Sequence, residues 1–422
     1  MKVLHIIPSV SPRRGGPTQV VLNLIKCLRE QGIDAEIATT NDNGPDGLYP
    51  LDVPLNQRIE FEKVPVWFFE QFSPPAKGVQ IAKDKGFVFS APLTRWLWEH
   101  IRDYDILDNH YLFSYPCTCA GAIARWQKVP YTVRAMGQLT PWALSQSRLK
   151  KQIYSFLIER KNLARAAAIH CTSIGEAEDV RNFGIETPTA VLPLGVEPPI
   201  LRPAAKQKIR EIYGIAPQTP IVLYLSRLHY KKRPDLLLRS LSQLAERNCD
   251  FHLILAGSGE PDYLSYLDNL ISSLNLATRT SIPGFVIGED KDLLLQGADI
   301  FVLPSFSENF GIAVGEAIAS GLPVIVTPDI QISQEITAFE TGLVVEGEVE
   351  PLANAIAQLL EAPEKRQKLG ENGKRLASDR YSWQKIGHHL ATVYTSILQQ
   401  QPIPPYPDNS KLKCSTVLET EK

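Results

Sequence analysis

The sequence predicts an α/β protein of two successive domains, each a parallel sheet flanked by helices. Three observations predict it. Short apolar runs alternate with helical patterns through most of the 422 residues, the pattern of βαβ units with helices on both sheet faces. The rhythm breaks at Pro193 to Pro203, where Pro198-Pro199 reads as a linker. A new first strand then opens at Ile221, much as one opens at Val3. The repeat is architectural and has no sequence period.

In the first domain the strand-like runs lie at 3–7, 35–39, 106–109, 130–134, 167–172 and 189–194. In the second they lie at 221–226, 251–256, 299–304, 323–327 and 342–345. The expected boundaries are 1–197 and 204–380. Tyr381 to Leu398 reads as an amphipathic helix, and 399–422 as a polar, proline-rich, disordered tail. Val66-Trp67-Phe68-Phe69 to Phe72, Phe87-Val88-Phe89 and Trp96-Leu97-Trp98 are core, or else a cleft or membrane-facing patch. A basic stretch carries Arg148, Lys150, Lys151, Arg160, Lys161 and Arg165, with Ile153, Phe156 and Leu157 between them. It suits a solvated helix face or anionic lipid.

Bulk properties exclude several classes. The chain is 44% apolar and 21% charged, enough for sizeable cores. A net charge of −2 gives no bias toward nucleic acid. Cys27, Cys117, Cys119, Cys171, Cys249 and Cys414 form no C-x-x-C pair and no metal-ligand spacing, which suits a reducing compartment. The apolar start is too short for a signal peptide, and no run approaches the ~18 residues of a membrane span. The expected location is cytoplasmic, with a peripheral position on a membrane surface left open.

The most informative stretch runs from Ile300 to Gly321. The buried strand Ile300-Phe301-Val302-Leu303-Pro304 leads into Ser307-Glu308-Asn309-Phe310-Gly311, then a short helix that stops at Gly321 with Pro323 beyond. Glu308 sits at the strand's carboxyl end, where α/β sheets bind ligands. Glu316 lies about one turn into the helix. A helix N-terminus favours anions. A phosphate near Phe310 to Ile312 with two carboxylates to accept from hydroxyls describes a nucleotide sugar.

This stretch resembles the Glu-x7-Glu motif of retaining glycosyltransferases with two facing Rossmann-like domains (GT-B architecture), family 4 in particular. The resemblance continues through Gly-Leu-Pro-Val-Ile-Val at 321–326. It implies that Glu308 binds donor-sugar hydroxyls and Glu316 the ribose diol, with Asn309, Phe310 and Gly311 at the donor site. It also implies that the last helix crosses back to the first domain. A second run, Ser226-Arg227-Leu228-His229-Tyr230-Lys231-Lys232-Arg233, follows the second domain's first strand. A departing diphosphate needs fixed cations there. The resemblance assigns Arg227 and Lys232 to it, with Lys231 and Arg233 outward or secondary.

Other signals are weaker. Gly15-Gly16 precedes a helix expected near Thr18 and resembles the loop bordering acceptor and donor sugar; Arg13 and Arg14 meet an anion there or are solvated. Gly257-Ser258-Gly259 reads mainly as a tight turn, and 282–286 resembles the part that flanks the nucleotide base. Family members often carry a histidine before glycine after the strand at 130–134, where this chain has Met136-Gly137. Methionine is a poor hydrogen-bonding substitute. Either Arg134 or Gln138 replaces it, or the contact is absent. His110 is a structural histidine or faces the cleft. Asp103-Tyr104-Asp105 has the form of a metal-binding Asp-x-Asp motif but precedes its strand, so no essential metal and no cofactor is expected.

The expectation is a retaining glycosyltransferase, a hexosyltransferase by type, that moves a sugar from a UDP- or GDP-sugar to a glycan, lipid-linked or small-molecule acceptor, with a place in surface polysaccharide assembly. Nucleic acid is not an expected partner. A nucleotide-sugar epimerase or a phosphorylase on the same fold is one alternative. A non-catalytic nucleotide-sugar-binding scaffold is another.

Overall fold

The computed structural model describes residues 1–44, 49–72, 88–145 and 158–407. Among them the chain forms two compact units. The first is Met1–Gly195 together with the segment that begins at Trp383, and the second is Val196–Ser382.

The first unit is built on eight strands: β1 (Lys2–Ser9), β2 (Asp34–Thr40), β3 (Arg58–Phe61), β4 (Val64–Phe69), β5 (Ile106–His110), β6 (Tyr131–Arg134), β7 (Ala168–Cys171) and β8 (Thr189–Val191). Their order is β3-β4-β2-β1-β5-β6-β7-β8. All pairs are parallel except the edge hairpin β3-β4. The chain turns from β1 to β2 on one side and later to β5 on the other, so the crevice of this sheet opens between β1 and β5. Helices Gly16–Glu30, Ala91–His100, Tyr115–Gln127 and Trp383–Leu398 belong to this unit.

The second unit has six strands: β9 (Ile221–Leu225), β10 (His252–Ala256), β11 (Thr280–Gly284), β12 (Ile300–Leu303), β13 (Val324–Val326) and β14 (Gly342–Val344). The order β11-β10-β9-β12-β13-β14 is that of a dinucleotide-binding Rossmann sheet, and every pair is parallel. β9 and β12 are wholly buried, because helices cover both faces. That burial is why their sequences read as unbroken apolar runs.

The structure refines several expectations. Val66 to Phe69 is strand β4, not a surface patch. Val66, Phe68 and Phe69 are buried, and Trp96 packs against Trp67 and Phe69 at ring distances of 5.0 and 5.3 Å. Trp98, by contrast, is exposed. β11 escapes the sequence pattern because its residues are only partly buried. The first helix begins at Gly16 rather than near Thr18. Phe87, Cys414, most of the tail, and Arg148 to Leu157 of the basic stretch lie outside the described residues. Among described residues, Arg160 stacks on Phe183 at 4.9 Å and donates to its carbonyl at 2.7 Å. No described helix is long and apolar enough to cross a membrane.

Candidate functional site

The topology of the second unit fixes where its ligands bind. β9 and β12 are adjacent, yet the chain leaves them toward opposite sides of the sheet, so their C-terminal loops border an open crevice. The β9 loop carries Ser226 to Arg233 into the helix Pro234–Glu246. The β12 loop carries Pro304 to Gly311 into the helix Ile312–Ser320.

Backbone and side-chain bonds stitch the two loops together. Lys231 carbonyl accepts from Phe306 N at 2.9 Å and lies 3.0 Å from Ser305 Oγ. Ser305 Oγ is also 3.0 Å from Glu308 Oε1, and Thr327 Oγ1 donates to Ser305 carbonyl at 2.6 Å. Lys232 Nζ forms an ion pair with Glu308 Oε1. The Arg233 guanidinium stacks on Phe306, 4.3 Å from the ring centroid, so its role is packing.

The Gly257-Ser258-Gly259 segment does more than turn the chain. Leu228 N donates to Ser258 carbonyl at 2.8 Å, extending the parallel pairing beyond the strands. A Cβ on Gly257 would stand 1.8 Å from Ser226 carbonyl oxygen, and one on Gly259 2.3 Å from that of Leu228. Glycine is required so that the backbone flanking Arg227 can pass. Arg227 itself is exposed and forms no ion pair among the described residues.

Lys231, expected to be outward or secondary, does not point fully outward. It is half-buried, and its pKa falls to about 8. Burial is the main cause; Glu308 opposes it, and Lys232 and Arg227 add to it. Two adjacent lysines in a 3₁₀ turn, Tyr230–Lys232, were the available signal. His229 is also held below its ordinary value by burial and then by Arg227, and its Nδ1 accepts from Lys231 N at 3.2 Å.

The expected donor residues divide by environment. Glu316 is partly exposed and pairs with Lys291 at 2.6 Å. Gly311 adopts φ 73° and ψ 70° as the helix N-cap, a conformation that suits glycine. The Phe310 side chain is buried and meets Tyr381 edge-on at 5.1 Å, so it packs in the core of the unit. Asn309 is partly buried in the same loop. Phe285 and Ile287, just after β11, expose apolar side chains at the same sheet edge.

In the first unit, Gly15 takes φ 71° and ψ −135° at the start of its helix, and Gly16 is the first helical residue. Arg14 pairs with Asp42 at 2.8 Å. A cavity of about 210 Å³ at the β1/β5 crevice is lined by Ser9, Arg14, Tyr111 and Gln138, among others. Three non-glycine residues there have positive φ: Tyr111, Phe113 and Met136. Side chains hold this backbone in place. Gly137 N donates to Glu176 Oε1 at 2.6 Å, Leu112 N to Gln138 Oε1 at 2.6 Å, and Phe113 N to Glu159 Oε1 at 3.0 Å.

Arg134 cannot replace the missing histidine. It is buried and committed to Asp108, with Nε 3.0 Å from Oδ2. Tyr394 Oη donates to the same oxygen at 2.6 Å. His110 is the buried structural histidine, 2.9 Å from His5. Burial drops His5 to about 4 against the pull of Asp108, and holds His110 and His170 below their ordinary values. Burial also pushes Asp108 up, but Arg134 and the neighbouring histidines outweigh it and leave the carboxyl well below its usual range.

His5, Asp108 and His110 are the one group among the described residues whose ligand atoms lie within metal-binding reach of one another. The Arg134 guanidinium on that carboxylate makes a divalent cation a poor fit. Asp103 and Asp105 are used otherwise: Asp103 pairs with His100 at 3.1 Å, and Asp105 accepts from Lys2 N at 2.6 Å.

Two parallel sheets, each open at a topological switch point, with cations and carboxylates lining one of them, define a GT-B glycosyltransferase, a class that uses nucleotide-sugar donors. The family description "Glycosyl transferase 4-like domain" matches residues 15–195, and "Glycosyl transferases group 1" matches 205–376. The chain belongs to the family 4 type of these enzymes. A D-inositol 3-phosphate glycosyltransferase from Xylanimonas cellulosilytica is 27% identical over 95% of this chain and 97% of its own. A GDP-mannose-dependent phosphatidylinositol monomannoside mannosyltransferase from Mycolicibacterium smegmatis is 31% identical over 50% of this chain and 57% of its own. The structure of Anabaena HepE with UDP and glucose aligns with a TM-score of 0.71 at 21% identity, over 94% of this chain and all of that one.

Proposed function

We propose that this glycosyltransferase acts with retention, taking a sugar from a UDP- or GDP-sugar bound by the second unit. The observation that carries the reading is the meeting of the cationic β9 loop with the Glu308 loop at the β9/β12 crevice. Arg227 and Lys232 stabilise the departing diphosphate, a form of catalysis that needs fixed charge where charge develops. The Lys232–Glu308 pair opens on donor binding. Lys232 turns to phosphate, which frees Glu308 to orient sugar hydroxyls. Asn309, the Phe310 backbone and Gly311 lead into a helix start that favours the diphosphate. Glu316 exchanges Lys291 for the ribose diol. Phe285 and Ile287 border the base. The departing diphosphate helps deprotonate the acceptor, so substitution proceeds on the face the leaving group vacates.

The first unit, Met1–Gly195 with the helix Trp383–Leu398 rather than the expected 1–197 and 381–398, is the acceptor side, and the second unit the donor side; Gly15 and Gly16 border the reacting sugar. A glycan, lipid-linked or small-molecule acceptor binds there, and Gln138 in the small cavity replaces the missing histidine. A cytoplasmic role in surface polysaccharide assembly belongs to the same proposal. The relatives named for D-inositol 3-phosphate and for GDP-mannose support a nucleotide-linked donor and a polyol-type acceptor.

Thermal melting against UDP, GDP, ADP and their sugars, followed by product analysis, tests the reading. The expected result is a Tm rise with one nucleoside diphosphate, and an α-linked product from an α-linked donor. An inverted product would remove retention. Sugar conversion without any acceptor would indicate an epimerase, and binding with no turnover a scaffold.

A further inference from the structure

The opposite edge of the first unit, where its strands begin, carries a second basin. Arg125, Lys128 and Arg165 converge on an open groove of about 840 Å³ whose lining contains no carboxylate. None of the three forms an ion pair among the described residues, and Arg125 Nε is buried without a hydrogen-bond partner. Ile397 and Leu398, at the end of the last helix, supply an apolar wall. Three cations gathered without an anion are unusual on a chain whose net charge is −2.

Beside the groove stand two tryptophans that the fold leaves in water. Trp126 is 76% exposed and Trp98 51%, with ring centroids 6.4 Å apart. Gln127 Nε2 donates to Trp98 carbonyl at 2.7 Å, tying the two helix ends together. The acids of the neighbouring segment, Glu99 and Asp103, are already paired with Arg95 and His100. Water-exposed indoles next to unpaired cations match a layered surface, anionic outside and apolar beneath.

We propose that this edge docks the first unit on an anionic lipid bilayer. A lipid phosphate enters the groove between Arg125, Lys128 and Arg165, while Trp98 and Trp126 enter the interfacial layer. A soluble anion would leave the tryptophans without a role, and a neutral membrane would leave the cations without one. Docking by this edge leaves the loops at the other edge of the sheet facing away from the lipid. The proposal gives the peripheral membrane position a definite surface, and it stands whether or not the glycosyl-transfer reading holds.

The test is cosedimentation of the full chain with vesicles of pure phosphatidylcholine, or of phosphatidylcholine mixed equally with phosphatidylglycerol, at low and high salt. Binding is expected only to the anionic vesicles and is expected to weaken with salt, as screening shortens the reach of the cations. Each basic residue near an anionic surface contributes about fivefold in affinity, so K128A/R165A lowers partitioning on the order of 20-fold. W126A also lowers it and reduces the blue shift of Trp fluorescence on binding, leaving the part that Trp98 supplies. All three positions are exposed, and unchanged circular dichroism and Tm will show that the variants are folded. Equal binding to both vesicle types, no binding, or binding that ignores both variants overturns the proposal. So does concentration-dependent self-association that W126A abolishes without any vesicle binding, which would make the patch a protein interface.

Discussion

The two units use charge in opposite ways. In the second, Arg227 is exposed at the sheet edge, and Lys232, Glu308 and Glu316 are partly exposed there and paired through contacts a ligand can exchange. In the first, His5, Asp108, His110, Arg134 and His170 are buried within the strands and bonded to one another. Both sheets have the same kind of switch point, so topology alone does not make a catalytic site. The proposed catalytic site is the one whose charge is accessible and whose partners a ligand can replace. The buried network serves instead to hold Tyr394, and with it the last helix, against the sheet.

The largest effect tests the buried side of this contrast. Asp108→Ala leaves Arg134 charged, buried and unpaired, which costs about 3–5 kcal/mol. All six tryptophans, Trp67, Trp96, Trp98, Trp126, Trp142 and Trp383, belong to the first unit. Their fluorescence should therefore report its unfolding in urea separately from the circular dichroism of the whole chain. An unchanged fluorescence midpoint would deny the network its structural role.

Next come Arg227→Ala and Lys232→Ala. Each should cut turnover by ~10² or more, the scale of one lost transition-state contact, with the urea midpoints unmoved. Steady-state rates with a purified donor check this.

Acid sharpens the comparison further. A histidine whose folded pKa lies below its unfolded value near 6.5 stabilises fully above that value and less as pH falls toward the folded pKa. For His5 that window runs from about 6.5 to about 4, and His110 and His170 act in the same direction. Each contributes roughly 1.4 kcal/mol per pH unit within its window. Tryptophan fluorescence should therefore melt at a higher pH than the remaining ellipticity. Coincident transitions would contradict it.

Smaller changes are expected at the donor site. Glu316→Ala should weaken donor binding about tenfold, the loss of hydrogen bonds to one charged group; calorimetry giving wild-type affinity would remove the ribose role. Lys231, at about 8, should make nucleoside diphosphate binding weaken as pH rises through that value. Lys231→Ala should flatten the profile.

Much of this was legible in the sequence because the second unit's strands are buried on both faces and its glycines mark loop ends. Ile300 to Leu303 could only be a buried strand, and Gly321 with Pro323 could only end a helix. β11 was not legible, since its partial burial breaks the apolar run. Neither was the reason for Gly257 and Gly259, which depends on the backbone at Ser226 and Leu228, some thirty residues away. His5, Asp108, Arg134, His170 and Tyr394 come together only through strand order, across 389 positions of chain from first to last. No local pattern announces such a network. Lys231 looked like a solvated neighbour of Lys232 because a 3₁₀ turn, rather than a helix, places both near Glu308.

The most direct test of the donor site is calorimetric titration of nucleoside diphosphate and monophosphate into the wild type and into R227A/K232A. The diphosphate is expected to bind the wild type on the order of 10–100 times more tightly than the monophosphate, as charge-assisted bonds to a second phosphate require. That advantage should vanish in the double variant. An R227A/K232A protein that keeps the full diphosphate preference would place the phosphates elsewhere.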